Sequence, residues 1–162
     1  MEPDGFDVQN KRIPKSGGDK ASEGDIVTIT GWLHLVAFEG GAKGDEDYHI
    51  QVSDSLTDGG DCVIVEAPNP AFITNKALAK KSSDIRLWVR TNLLHNAKKI
   101  PSSKGNPMEH PPFVKATGQL FFDSTHDEGD DPSGGRGKKG MKAGTIWELH
   151  PLTDLRFAPK PQ

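Results

Sequence analysis

The chain has a single cysteine, Cys62, among 162 residues, which excludes an internal disulfide framework and any cysteine-based zinc cluster. No apolar run approaches the roughly 18 residues a membrane-spanning helix needs, so a soluble protein with no membrane partner is expected. Met1 to Arg12 lacks the apolar centre of a secretory signal. That makes the cytoplasm the expected compartment, although a processed, exported chain carries the same pattern. No serine sits in a nucleophile elbow and no cysteine–histidine pairing is in view. Gly134 to Gly140 lacks the closing Lys-Ser/Thr and the preceding strand of a phosphate-binding loop. A net charge of −3 exerts no global pull toward nucleic acid.

What is present suits one modest core. Residues 1–24 are too polar and glycine-rich to join it and 158–162 form a proline-rich tail, which leaves 25–157 as a single domain. Charge is uneven along the chain. Residues 1–60 carry twelve acidic and five basic side chains, whereas residues 76–99 carry seven basic ones against Asp84 alone. That basic segment suits either an acidic partner protein or the wet face of a helix.

Alternation of apolar and polar residues marks the strands. Val27, Ile29, Leu33 and Leu35 share one parity from Asp25 to Glu39, with Thr28, Thr30, Trp32 and His34 on the other. Gly31 marks a bulge or bend. Tyr48, Ile50 and Val52 alternate with His49, Gln51 and Ser53, and Cys62 to Ala67 follows after the turn Thr57 to Gly60. Asn69-Pro70 is a helix start that predicts a helix over 70–81. Residues 83–97 fit a strand or a helix; a second helix capped by Ser83 or Asp84 is preferred. Residues 100–112 hold four prolines and are expected to be irregular. Strands over Phe113–Asp123 and Thr145–Phe157, the latter interrupted by Pro151, flank a loop over 124–144 that reads as too polar and glycine-rich to be regular. The result is a mainly β fold, an OB-like five-stranded partly open barrel (β-β-β-α-β-β) with a helical insert between strands three and four.

Four phrases add to this. Asp45-Glu46-Asp47-Tyr48-His49, Val65-Glu66-Ala67-Pro68, Gly118 to Asp123 with His126, and Glu148-Leu149-His150-Pro151 together resemble a family of uncharacterised bacterial OB-fold-like proteins with DxDYH, VExP, GxxFFDxxH and ELHP motifs. The resemblance covers roughly residues 25–157. It implies the fold but no reaction. The chain departs from the pattern in its longer basic helical insert and in the Gly/Lys-rich loop after His126.

Three groups of residues carry candidate chemistry. Asp45, Asp47, His49 and Glu66 combine carboxylates and imidazole, the usual ligands of divalent ions, and His49 and Glu66 can face each other across a ladder. Asp123, His126, Glu148 and His150 form a second such set, expected at the opposite pole. Each set also reads as purely structural, a register pair and a hydrogen-bonded corner. A nucleic-acid surface is the third candidate: Arg136, Lys138, Lys139 and Lys142 in the long loop, Trp32, His34, Phe113 and Phe121 on outward parities for stacking, and His49 and Gln51 as further ligand-binding residues. Asp127, Glu128, Asp130 and Asp131 in the same loop oppose it.

The expected function is an OB-like binding module that holds a ligand, a single nucleic-acid strand or a partner protein without catalysis. The alternative is a metal-dependent hydrolase using one His/carboxylate cluster, and a third reading is a structural subunit of a larger assembly. A divalent metal is the one cofactor these residues suggest.

Overall fold

The structure is a computed structural model that describes residues 22–41, 44–123, 131 and 135–162. It is mainly β. The strands are β1 (Ile26–Glu39), β2 (Asp47–Ser53), β3 (Cys62–Ala67), β4 (Asn106–Pro107), β5 (Phe113–Phe122), β6 (Gly137–Lys138) and β7 (Met141–Phe157). Five of them pair in a ring, in the order β1, β2, β3, β7, β5 and back to β1. All the pairings in the ring are antiparallel except β3 with β7, which is parallel. Among the described residues no helix is long and apolar enough to cross a membrane.

One long strand closes the ring because β1 serves two neighbours. Its first half pairs with β5, from Ile26 opposite Gln119 to Trp32 opposite Phe113, and its second half with β2, from Trp32 opposite Ser53 to Glu39 opposite Asp47. The change of partner needs Gly31, since a Cβ there would lie 2.6 Å from the Ser53 carbonyl oxygen. The bulge itself falls later, between Leu33 and Leu35. One extra residue flips the faces of everything beyond it. Leu33 and Val36 therefore both face the core, whereas Leu35, read as sharing the parity of Leu33, lies against Gly105 on the other side.

The apolar halves of the strands fill the ring with Tyr48, Ile50, Val65, Val114, Leu149 and Leu152. Helix α1 (Lys76–Trp88) and a π turn (Val89–Leu93) supply Ile85, Val89 and Leu93 to the same cluster. This is one helix where the sequence predicts two. Asn69 caps only a 3₁₀ turn (Pro70–Phe72), and the helix starts at Asn75, whose side chain accepts from the Leu78 N–H. Ser83 and Asp84 lie in its interior, where Asp84 pairs with Lys80 at 2.6 Å. The β-branched Ile73-Thr74 step is poorly helical, and Asn75 restarts the segment with a cap of its own.

The segment 124–144 also differs from its reading as a loop. Its end forms the β6–β7 hairpin, Gly137 opposite Lys142 and Lys138 opposite Met141. The turn residues Lys139 and Gly140 both have positive φ (58° and 80°), the geometry a two-residue hairpin turn favours. The two basic and glycine residues that read as loop composition are what such a turn uses. Pro151 follows a cis peptide bond at His150 and sits beside the register shifts at Gly118 where β5 meets β7. Beyond β7, the Ala158 N–H donates to the Phe113 carbonyl at 3.0 Å, so the C-terminal residues begin against the ring. Glu23 and Gly24 also touch it: the Gly24 N–H donates to the Leu120 carbonyl and Glu23 accepts from the Phe122 N–H.

Candidate metal centre

Every residue of β2 is buried, Asp47 to Ser53, although its pattern is that of a strand with one wet face. Tyr48, Ile50 and Val52 point into the core, so Asp47, His49 and Gln51 lie on the outer face of the ring. Glu66 on β3 and Glu148 and His150 on β7 alternate with the core residues Val65, Ala67 and Leu149 and share that outer face. The β6–β7 hairpin folds over it and brings in Arg136 and Lys138.

Register does the assembling. His49 stands opposite Glu66 on β2–β3, and Ile64 opposite Glu148 on the parallel β3–β7 pair. The two His/carboxylate sets expected at opposite poles therefore form one cluster. The parallel β3–β7 pairing, which local sequence pattern does not reveal, is the reason. Asp123 joins through Arg136, at 3.2 Å. His126 lies outside the described residues. Asp45 stays exposed, and its Oδ1 accepts from the Asp47 N–H at 3.2 Å, as in a turn. Glu39, at the end of β1, is an added member that parity misassigns because of the bulge before it.

The orientation of His49 is settled by Gln51. Gln51 Nε2 donates to the Met141 carbonyl at 3.1 Å and Gln51 Oε1 accepts from the Lys138 N–H at 2.8 Å. His49 Nε2, 3.1 Å from that same oxygen, is therefore a donor. His49 Nδ1 faces Glu39 Oε1 at 3.2 Å and Glu66 Oε1 at 3.3 Å. His150 places Nε2 3.1 Å from Asp47 Oδ2, and Nδ1 3.4 Å from Glu148 Oε1 and 3.8 Å from Glu66 Oε2. Asp47 is held in turn by the Asn69 N–H at 2.9 Å. Arg136 donates to Glu66 Oε1 at 3.0 Å and to Glu148 Oε2, and Lys138 Nζ lies 3.2 Å from Glu39.

Charge in so dry a place must be balanced. Five carboxylates, Glu39, Asp47, Glu66, Asp123 and Glu148, face the two fixed cations Arg136 and Lys138. Among the described residues the excess can be met by protons on the imidazoles, by a proton on a buried carboxylate or by a bound cation. In the metal-free chain burial opposes a charged His49, but hydrogen bonds to Glu39 and Glu66 push it up to about 9. The hydrogen bond from His49, outweighing burial, lowers Glu39 to about 2. His150 is likewise raised, against burial, by Asp47 and Glu148. Burial and the charge of Glu66 raise Glu148.

Among the described residues two groups bring ligand atoms close enough to share a cation. One donor atom each of Glu39, His49 and Glu66, and one each of Asp47, Glu66 and His150, lie within 4.8 Å of one another. A cleft of about 190 Å³ lined by Glu39, His49, Arg136, Gly137 and Lys138 opens beside the first. Compared with family models, curated proteins and solved structures, the chain matches none.

The residues read as a nucleic-acid face are placed differently. Trp32 is 8% exposed, with Phe113 edge-on at 5.0 Å between ring centres. His34 is buried with Nε2 2.7 Å from the Ser55 carbonyl, beside a separate cleft of about 570 Å³. His49, Gln51 and Arg136 are inside the cluster. Of that group Lys138, Lys139 and Lys142 retain appreciable exposure. Parity gave the outward face correctly for several of these side chains but not the hairpin that covers it.

Proposed function

We propose that this chain is an OB-like module whose outer-face cluster holds a divalent cation and uses it to hydrolyse a small anionic ester. The OB-like part is supported by the ring order and by the parallel contact of β3 with β7, which together give a five-stranded Greek-key path with its helix after the third strand. The observation that carries the chemistry is the placing of two imidazoles on either side of Glu66, each with carboxylates at its ligating edge.

A divalent ion here would polarise the ester and lower the pKa of a bound water toward neutrality. The chain's own residues have separate tasks. Asp47 and Glu148, one at each ring nitrogen, fix the orientation of His150. Gln51 keeps His49 Nε2 as a donor and leaves Nδ1 turned to Glu39 and Glu66. Lys138, at the mouth of the cleft, draws in an anion.

The test is elemental analysis of untagged protein purified without chelator, followed by hydrolysis of bis(p-nitrophenyl) phosphate in manganese or zinc. A bound metal and a metal-dependent rate, with the rate lost in His150→Ala, support the proposal. No metal after incubation with zinc, manganese and calcium rejects it.

A second reading, a binding module without catalysis, is favoured by one observation. Among the described residues every buried side-chain nitrogen and oxygen has a hydrogen-bond partner without any ion. The cluster then serves as an ionic clasp for the hairpin, and an empty metal analysis selects it.

A further inference from the structure

Resting on that cation reading, we infer that the centre is built for two divalent ions, bridged by Glu66. The two oxygens of Glu66 are turned to different imidazoles: Oε1 to His49 Nδ1 at 3.3 Å, Oε2 to His150 Nδ1 at 3.8 Å. A carboxylate presenting one oxygen to each of two ligand sets is the bridging arrangement of two-metal sites, whose ions sit about 3.5–4 Å apart. The two sets have Glu66 alone in common. Glu39 and His49 complete the first, Asp47 and His150 the second.

The outer shell is doubled as well. A ligating histidine ordinarily gives its other ring nitrogen to an oxygen acceptor. His49 gives Nε2 to Gln51 Oε1 at 3.1 Å. His150 has carboxylate oxygens at both ring edges, Asp47 Oδ2 3.1 Å from Nε2 and Glu148 Oε1 3.4 Å from Nδ1, so one edge can meet an ion while the other gives its N–H. Asp47 keeps its other oxygen on the Asn69 N–H, as a ligating carboxylate does.

Manganese titration by equilibrium dialysis with electron paramagnetic resonance at saturation tests this. Expected are two Mn²⁺ per chain and a spin-coupled spectrum in the full chain. His49→Ala and His150→Ala should each keep one ion with an uncoupled six-line signal, and Glu66→Gln should lose the coupling. One ion per chain with an uncoupled signal overturns the bridged pair and leaves the cation reading standing. No bound ion overturns both. The unsubstituted chain decides the matter alone if a variant does not fold, which circular dichroism reports.

Discussion

Arg136 Nη2 lies 3.0 Å from Glu66 Oε1, a contact between a hairpin and a strand separated by 70 residues of sequence. The same guanidinium donates to Glu148 and pairs with Asp123 at 3.2 Å, so one side chain compensates three buried carboxylates. Arg136→Met is expected to destabilise the fold by about 3–5 kcal/mol, the cost of leaving buried charges unpaired. Urea denaturation at pH 7 in chelator measures it. Protonating the stranded carboxylates relieves the repulsion, so the difference from the parent chain should shrink near pH 4. A loss below about 1 kcal/mol would mean that the carboxylates are not charged together.

Gly137 has φ of 116°, and a Cβ there would run into the Met141 carbonyl across the hairpin. Gly137→Ala should therefore displace β6 at a cost of about 1–3 kcal/mol. The consequence is local: the Lys138 N–H loses Gln51 Oε1, which fixes His49. Amide hydrogen exchange at Lys138 should speed up far more than at Ile50 or Val65. Uniform acceleration would show instead that the hairpin and the ring open as one unit.

Much of this was legible residue by residue. The parity of Tyr48, Ile50 and Val52 identified the core face of β2, and His49 does stand opposite Glu66. Parity failed beyond Leu33, because a bulge inserts one residue and exchanges the faces of Leu35 and Val36, and with them Glu39. The union of the two His/carboxylate sets depends on β3 lying parallel to β7, a contact between segments about 80 residues apart that no local pattern encodes. The hairpin was hidden by composition, since Gly137, Lys138, Lys139 and Gly140 read as loop while serving a turn that needs positive φ.

Cys62 is fully buried beside Gln51, whose Nε2 lies 3.5 Å from Sγ, and burial pushes its thiol up. It should not react with 5,5′-dithiobis(2-nitrobenzoate) at pH 8 in the folded chain. Reaction should appear with the urea transition. Rapid modification of folded protein would show that the hairpin over Cys62 opens freely.

In chelator, protons on the imidazoles offset the carboxylate excess, and this has a sign. His49 is raised from 6.5 to about 9, so the folded state binds its proton more tightly than the unfolded state. The resulting stabilisation is complete below about pH 6.5 and is lost as pH rises through about 9. At 1.36 kcal/mol per unit its upper size is about 3 kcal/mol. Glu39, lowered to about 2, shares the same hydrogen bond, so the pair is counted once; its acid limb is lost as pH falls through about 2. His150 is raised too and adds to the alkaline limb. Urea midpoints between pH 6 and 10 should therefore fall with rising pH, and His49→Gln should flatten the fall without abolishing it. Saturating manganese should flatten it as well, because an ion takes the place of the protons. A profile already flat in chelator would mean that both imidazoles are neutral in the metal-free fold, and the charge balance would have to come from protonated carboxylates, with Glu148, the most deeply buried of them, first.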